Sequence, residues 1–160
     1  MPFRSQPDVY AGNCWQVWFD GSALPNPGRI GLGIVIVSPD GRRMEHALAP
    51  GLHGCNNQAE LHALCAALEL AHAAGAQQLL LRGDSDVAIA HVKGSSSTQI
   101  ATLVPLIEVA RNWLSRFDQI ELQWVPRHRN AEADRLCRQA LGLAQKEAKP
   151  DNRRKNRKRR

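Results

Sequence analysis

Residues 32–38, LGIVIVS, are an unbroken β-branched apolar run. A run of this kind suits a strand buried on both sides, so the rest of the chain must cover two faces of a sheet. Residues 14–20, CWQVWFD, alternate well enough for a strand that ends at Asp20. Residues 21–31, GSALPNPGRIG, carry two prolines and three glycines and read as turn chemistry throughout. Pro39-Asp40-Gly41 turns the chain into a third strand over about 42–50. These segments predict a three-stranded antiparallel meander.

The later elements change character. Residues 57–74 place Leu61, Leu64, Cys65, Leu68 and Ala71 or His72 on one helical face, with Asn56 or Asn57 as cap and Gly75 as stop. Residues 78–83 form a short buried strand ending at Asp84, 85–93 a short helix closed by Gly94, and 99–117 a helix with Pro105 within it or at a break. Residues 119–125, QIELQWV, alternate cleanly as a fifth strand, and 130–146 form a last helix. The order βββαβααβα predicts an α/β fold: a five-stranded mixed sheet, antiparallel in its first three strands and parallel after them, with helices on both faces. No internal repeat is found.

No apolar run approaches the ~18 residues of a membrane-spanning helix. Residues 1–13 lack the apolar stretch of a secretory signal and read as a loose leader, so a cytosolic location is expected. The chain carries a net charge of +6, but residues 146–160 alone account for +7 and residues 1–145 for −1. The expected organisation is therefore a leader at 1–13, one domain at 14–145 and a disordered basic tail at 146–160. A basic tail on a near-neutral body points to a polyanionic partner, most often nucleic acid. Cys14, Cys55, Cys65 and Cys137 have no C-x-x-C spacing and read as reduced thiols rather than zinc ligands.

Four acids stand where surface charge does not account for them together. Asp20 and Asp84 end strands, and Glu60 and Asp134 lie in the first turns of helices. Singly, an acid in a first helical turn complements the macrodipole. Jointly, such positions converge in an α/β fold, and converging carboxylates require a cation. A hard divalent ion with oxygen ligands, such as Mg²⁺, answers that need.

The motifs around these acids resemble those of the type 1 ribonuclease H family. FDGSALPNPG (19–28), NNQAEL (56–61), GDS (83–85) and WVPRHRNAEADRL (124–136) are similar to four of its motifs, in order and spacing, over about residues 14–145. The resemblance implies a ribonuclease H-like fold and an endoribonuclease that cuts the RNA strand of RNA/DNA hybrids. It implies Asp20, Glu60, Asp84 and Asp134 as ligands of two Mg²⁺ ions, with Mn²⁺ as an alternative, and products ending in 5′-phosphate and 3′-hydroxyl. One ion would activate the attacking water and the other stabilise the leaving oxygen. His128 corresponds to a residue that shuttles protons or releases product; its other reading is a solvated loop histidine between Arg127 and Arg129. Gly21, Ser22, Asn26, Asn56, Asn57, Gln58 and Asn130 are the implied hybrid contacts. Telling RNA from DNA needs groups that hydrogen-bond 2′-hydroxyls. Asn56, Asn57 and Asn130 can also be read as helix caps.

Three departures stand out. Residues 92–104 hold one lysine, Lys93, and no arginine, so the chain resembles compact members without a basic protrusion. The tail is the expected replacement for that grip. Cys55 stands where many members have threonine, and Asp86 adds an acid two residues after Asp84. The alternatives to an active ribonuclease H are another nuclease on the same fold and an inactive RNA-binding domain. A monomer is the default assembly.

Overall fold

The computed structural model describes residues 12–144. The expected leader, apart from Gly12 and Asn13, and the expected basic tail lie outside the described residues. The apolar run at 32–38 lies mostly within β2 (Gly28–Val37), which runs antiparallel between β1 (Cys14–Leu24) and β3 (Arg43–Leu48). β5 (Gln78–Gly83) and β6 (Gln119–Trp124) extend the sheet in parallel, giving the order β3-β2-β1-β5-β6. The expected mixed five-stranded sheet is present. A two-residue strand, β4 (His53–Gly54), also pairs with the start of β2 and is too short to leave a periodicity in the sequence.

Helix α1 (Asn56–Ala73) packs on β1 and β2, and α3 (Val104–Leu114) packs on α1. Ala59, Ala63, Ala67 and Ala71 recur every four residues and are fully buried, as are Leu64 and Leu68. Small residues at that spacing let α1 lie close to its neighbours, while each buried leucine contributes about 1.5–3 kcal/mol. α2 (Asp86–Lys93) follows β5. α4 (Ala131–Ala140) covers the other sheet face over β2, β1 and β3, burying Ala133, Leu136 and Cys137.

The expectation for residues 21–31 is overturned. β1 continues through Asp20 to Leu24 and β2 begins at Gly28, leaving only Pro25-Asn26-Pro27 as the turn. Gly21 and Gly31 are contact points for the α1 and α4 segments, while Gly28 packs on the turn backbone at Pro25. A Cβ on Gly21 would lie 2.1 Å from the Ala59 carbonyl oxygen of α1. One on Gly33, just past this stretch, would lie 2.0 Å from the Ala133 carbonyl oxygen of α4, and one on Gly31 would strike Leu141. Only glycine admits so close an approach.

Helix boundaries also shift. α3 begins at Val104 rather than 99, because Pro105 has no N–H to donate and belongs in a first helical turn. α4 stops at Ala140 rather than 146, where Gly142 takes a positive φ of 71°. The cap of α1 is Cys55, not Asn56 or Asn57, and its backbone N–H donates to Gln58 Oε1 at 2.9 Å.

Candidate active site

The sheet register and the two glycine contacts assemble the acidic centre. Phe19 of β1 pairs in parallel with Gly83 of β5. The residues that follow this pair, Asp20 within β1 and Asp84 just past the end of β5, therefore stand side by side. The contact of Gly21 with Ala59 delivers the following residue, Glu60, from α1. Gly33 lies directly across the ladder from Asp20, and its contact with Ala133 delivers Asp134 from α4. Asp20 is thus internal to β1 rather than at its end, and Glu60 lies just past the first turn of α1.

Ligand oxygens of Asp20, Glu60 and Asp84 lie within 4.8 Å of one another. Asp134, expected as a fourth member, is outside that group, yet its charge acts on Asp20. Burial, then the charge of Asp84, push the Asp20 carboxyl up to about 7. Burial, then the charges of Asp20 and Asp84, hold Glu60 well above the usual carboxylate range, against a hydrogen bond from the Gly21 backbone. The cluster concentrates negative charge with little water to disperse it.

Arg127 partly offsets that charge. Its Nε lies 3.6 Å from Asp84 Oδ2. One oxygen of Glu60, Oε2, is buried with no hydrogen-bond partner. Three convergent carboxylates, one with an unused buried oxygen, are a donor set that fits a hard divalent cation. No cysteine or histidine belongs to this group among the described residues, which disfavours a soft-metal site.

The remaining candidates divide into those around the site and those spent on structure. Asn26 Oδ1 accepts from the Asn56 backbone N–H at 3.1 Å, and Asn56 Oδ1 accepts from the Ala23 backbone N–H at 2.9 Å. These bonds tie the β1–β2 turn to the start of α1. Both residues are exposed, so their NH₂ donors are what they can offer a ligand. Asn57 is exposed beside them, Ser22 is half-buried and Gly21 is buried against α1. The Gln58 side chain is engaged in the cap described above. His128 is exposed in a single 3₁₀ turn, Arg127–Arg129, before α4.

Asn130 departs from its sequence reading. It makes no side-chain capping bond and is only 1% exposed. Its Nδ2 donates instead to the Phe19 carbonyl at 2.9 Å, so the side chain is a buried brace rather than a reaching group. Asp86 is exposed at the start of α2, where its carboxylate accepts from the Val87 backbone N–H at 2.8 Å. It is a helix-start charge outside the acidic group. In the sequence Arg127 stands out only as a neighbour of His128, since an ion pair across 43 residues leaves no local pattern. The connection between α2 and α3, residues 94–103, holds no helix, so the expected helical residues 99–103 belong to the loop.

The chain matches the family described as "Reverse transcriptase-like" over residues 18–140. It is 38% identical over 136 residues to a ribonuclease HI of Halobacterium salinarum, covering 85% of this chain and 67% of that protein. It is 34% identical over 134 residues to the bifunctional protein Rv2228c of Mycobacterium tuberculosis, covering 82% of this chain but only 36% of that longer protein. Among solved structures, the RNase H1 of Halobacterium salinarum superposes with a TM-score of 0.73 at 36% identity, over 81% of this chain and 98% of that one. LC11-RNase H1 in complex with an RNA/DNA hybrid superposes with a TM-score of 0.69 at 26% identity, over 80% and 96%.

Proposed function

The chain belongs to the type 1 ribonuclease H family, and from that membership and its acidic centre we propose that it is a divalent-metal-dependent endoribonuclease acting on the RNA strand of RNA/DNA hybrids. The observation that carries this reading is the convergence of Asp20, Glu60 and Asp84 within 4.8 Å, with a buried unpartnered oxygen on Glu60. Asp20, Glu60, Asp84 and Asp134 would hold the ions, Asp134 from α4. When bound, two Mg²⁺ ions supply the charge that activates water and stabilises the leaving 3′-oxygen. A 5′-phosphate and a 3′-hydroxyl are then the product ends.

The chain's own groups do the rest. Asn26, Asn56 and Asn57, with the backbone near Gly21, Ser22 and Gln58, present donors and acceptors suited to 2′-hydroxyls. His128 carries a proton on an imidazole nitrogen between bulk water and the reacting centre. Residues 14–145 form the catalytic unit. The tail at 146–160, with nine Lys/Arg, adds salt-sensitive affinity for phosphates. No helix among the described residues is long and apolar enough to cross a membrane. We take the protein as a cytoplasmic monomer.

The test is cleavage of a labelled RNA/DNA hybrid beside single-stranded RNA, double-stranded RNA and double-stranded DNA, each in Mg²⁺, Mn²⁺ and EDTA. Metal-dependent cutting of the hybrid's RNA strand is expected, lost in Asp84→Asn while hybrid binding persists. Turnover by Asp84→Asn would overturn the site. Deleting residues 146–160 should weaken hybrid binding and flatten its salt dependence.

A further inference from the structure

We propose that Arg127 is a metal-displaced guanidinium: it neutralises Asp84 in the metal-free protein and, once a divalent ion binds, turns to a phosphate of the bound nucleic acid. The inference rests on the acidic centre being a metal site, as proposed above, and adds a residue to it.

The pair is unequal. Asp84 is 9% exposed in its side chain and Arg127 is 83% exposed. The carboxylate is buried in the centre, while the guanidinium reaches it from solvent. At 3.6 Å their contact exceeds hydrogen-bond length, so it is a coulombic contact that breaks easily.

The root of the arginine, by contrast, is held. The Val125 backbone N–H donates to the Gly83 carbonyl at 2.9 Å, and Trp124 Nε1 donates to the Asp84 carbonyl at 3.2 Å. The Asn130 backbone N–H closes the turn onto the Arg127 carbonyl at 3.0 Å. These bonds keep the Arg127 backbone beside Asp84 whatever its side chain does. The result is an exposed cation on an anchored base.

A guanidinium keeps its proton at working pH, so it competes with a metal ion for Asp84 throughout. An ion bound to the carboxylates takes their charge and repels the guanidinium. Its planar fork then suits a phosphate, which it can grip through two parallel N–H bonds. Arg129, two residues on, makes no ion pair among the described residues, so Arg127 is the arginine tied to the acidic centre.

The experiment compares wild type, Arg127→Ala and Arg127→Lys, each with its fold checked by circular dichroism. Calorimetric titration of the substrate-free proteins with Mn²⁺ reads the competition. Arg127→Ala should bind Mn²⁺ about three- to tenfold more tightly, the scale of repulsion between a unit charge and a divalent ion in a water-like dielectric with salt present. Arg127→Lys, which keeps the charge, should bind it as wild type does. Hybrid affinity across a salt series, in Ca²⁺, reads the second role. Arg127→Ala should weaken binding and reduce the slope of log K against log[salt] by about 0.7–0.9, one phosphate contact. Arg127→Lys should restore the slope but not the full affinity. Unchanged Mn²⁺ affinity in Arg127→Ala overturns the competition, and an unchanged salt slope overturns the phosphate contact. Failure of wild type to bind Mn²⁺, or unaltered binding by Asp84→Asn, overturns the metal site itself.

Discussion

Asn130 Nδ2 donates to the Phe19 carbonyl oxygen at 2.9 Å, joining the start of the helix that carries Asp134 to the residue before Asp20. The two residues are 111 positions apart, and Asn130 is almost fully buried. The brace therefore fixes two acids relative to each other without touching either. Asn130→Ala leaves a buried carbonyl without its partner, at a cost of about 1–3 kcal/mol. Urea denaturation should show that loss with an unchanged m-value, and the folded variant should turn over more slowly. Stability within about 0.5 kcal/mol of wild type would remove Asn130 from this role.

Gly21 is where α1 meets β1. A methyl group there would sit 2.1 Å from the Ala59 carbonyl oxygen and 2.8 Å from the Glu60 backbone nitrogen. The backbone cannot yield as a flexible side chain would, so Gly21→Ala must push α1 away and take Glu60 with it. About 1–3 kcal/mol of destabilisation is expected from overpacking. Cleavage should fall much further than stability, and Mn²⁺ affinity with it. A variant that unfolds sooner but binds Mn²⁺ normally would contradict this coupling.

The acidic centre gives the metal-free protein a distinctive pH dependence. Asp20, raised from an ordinary 3.8 to about 7, stays protonated in the fold where the unfolded chain has already released its proton. Its contribution to stability is complete below about pH 4 and is lost as pH rises to about 7; Glu60 acts in the same direction. Asp40 and Glu45, lowered mainly by hydrogen bonds from Ser38 and Arg43, work in the opposite sense, but at lower pH. In EDTA, Tm should therefore decline between pH 5 and 7. Saturating Mg²⁺ should stabilise progressively more over the same range, because it binds the ionised carboxylates. Equal Mg²⁺ stabilisation at pH 5 and pH 8 would argue against this assignment.

His128 is exposed between Arg127 and Arg129 in the single turn before α4. As a proton carrier it should be worth about 10²-fold in kcat, the low end of general acid–base catalysis. His128→Ala should show that loss with KM little changed and with Tm as in wild type. Unaltered kcat would leave His128 as a surface residue.

The elements and their order follow from local pattern. The apolar run at 32–38, the alternation of residues 119–125 and the leucine spacing of α1 each state their structure over a few residues. Asp84, Glu60 and Asp134 are legible for the same reason, each close to a strand end or a helix start, whereas Asp20 lies inside β1. Glycine misleads because its sequence signal is ambiguous. Beside Pro25 and Pro27, Gly21 and Gly31 look like turn residues. Only the positions of Ala59 and Leu141 reveal that they are gaps into which helices fit. Asn130 and Arg127 were obscured in the same way, since each acts on a partner far away in sequence, Phe19 and Asp84. Local propensity determined strands, helices and candidate ligands. Packing alone decided which three carboxylates meet, which asparagine is buried and which arginine faces the centre, because those outcomes depend on the approach of backbones that no short stretch of sequence encodes.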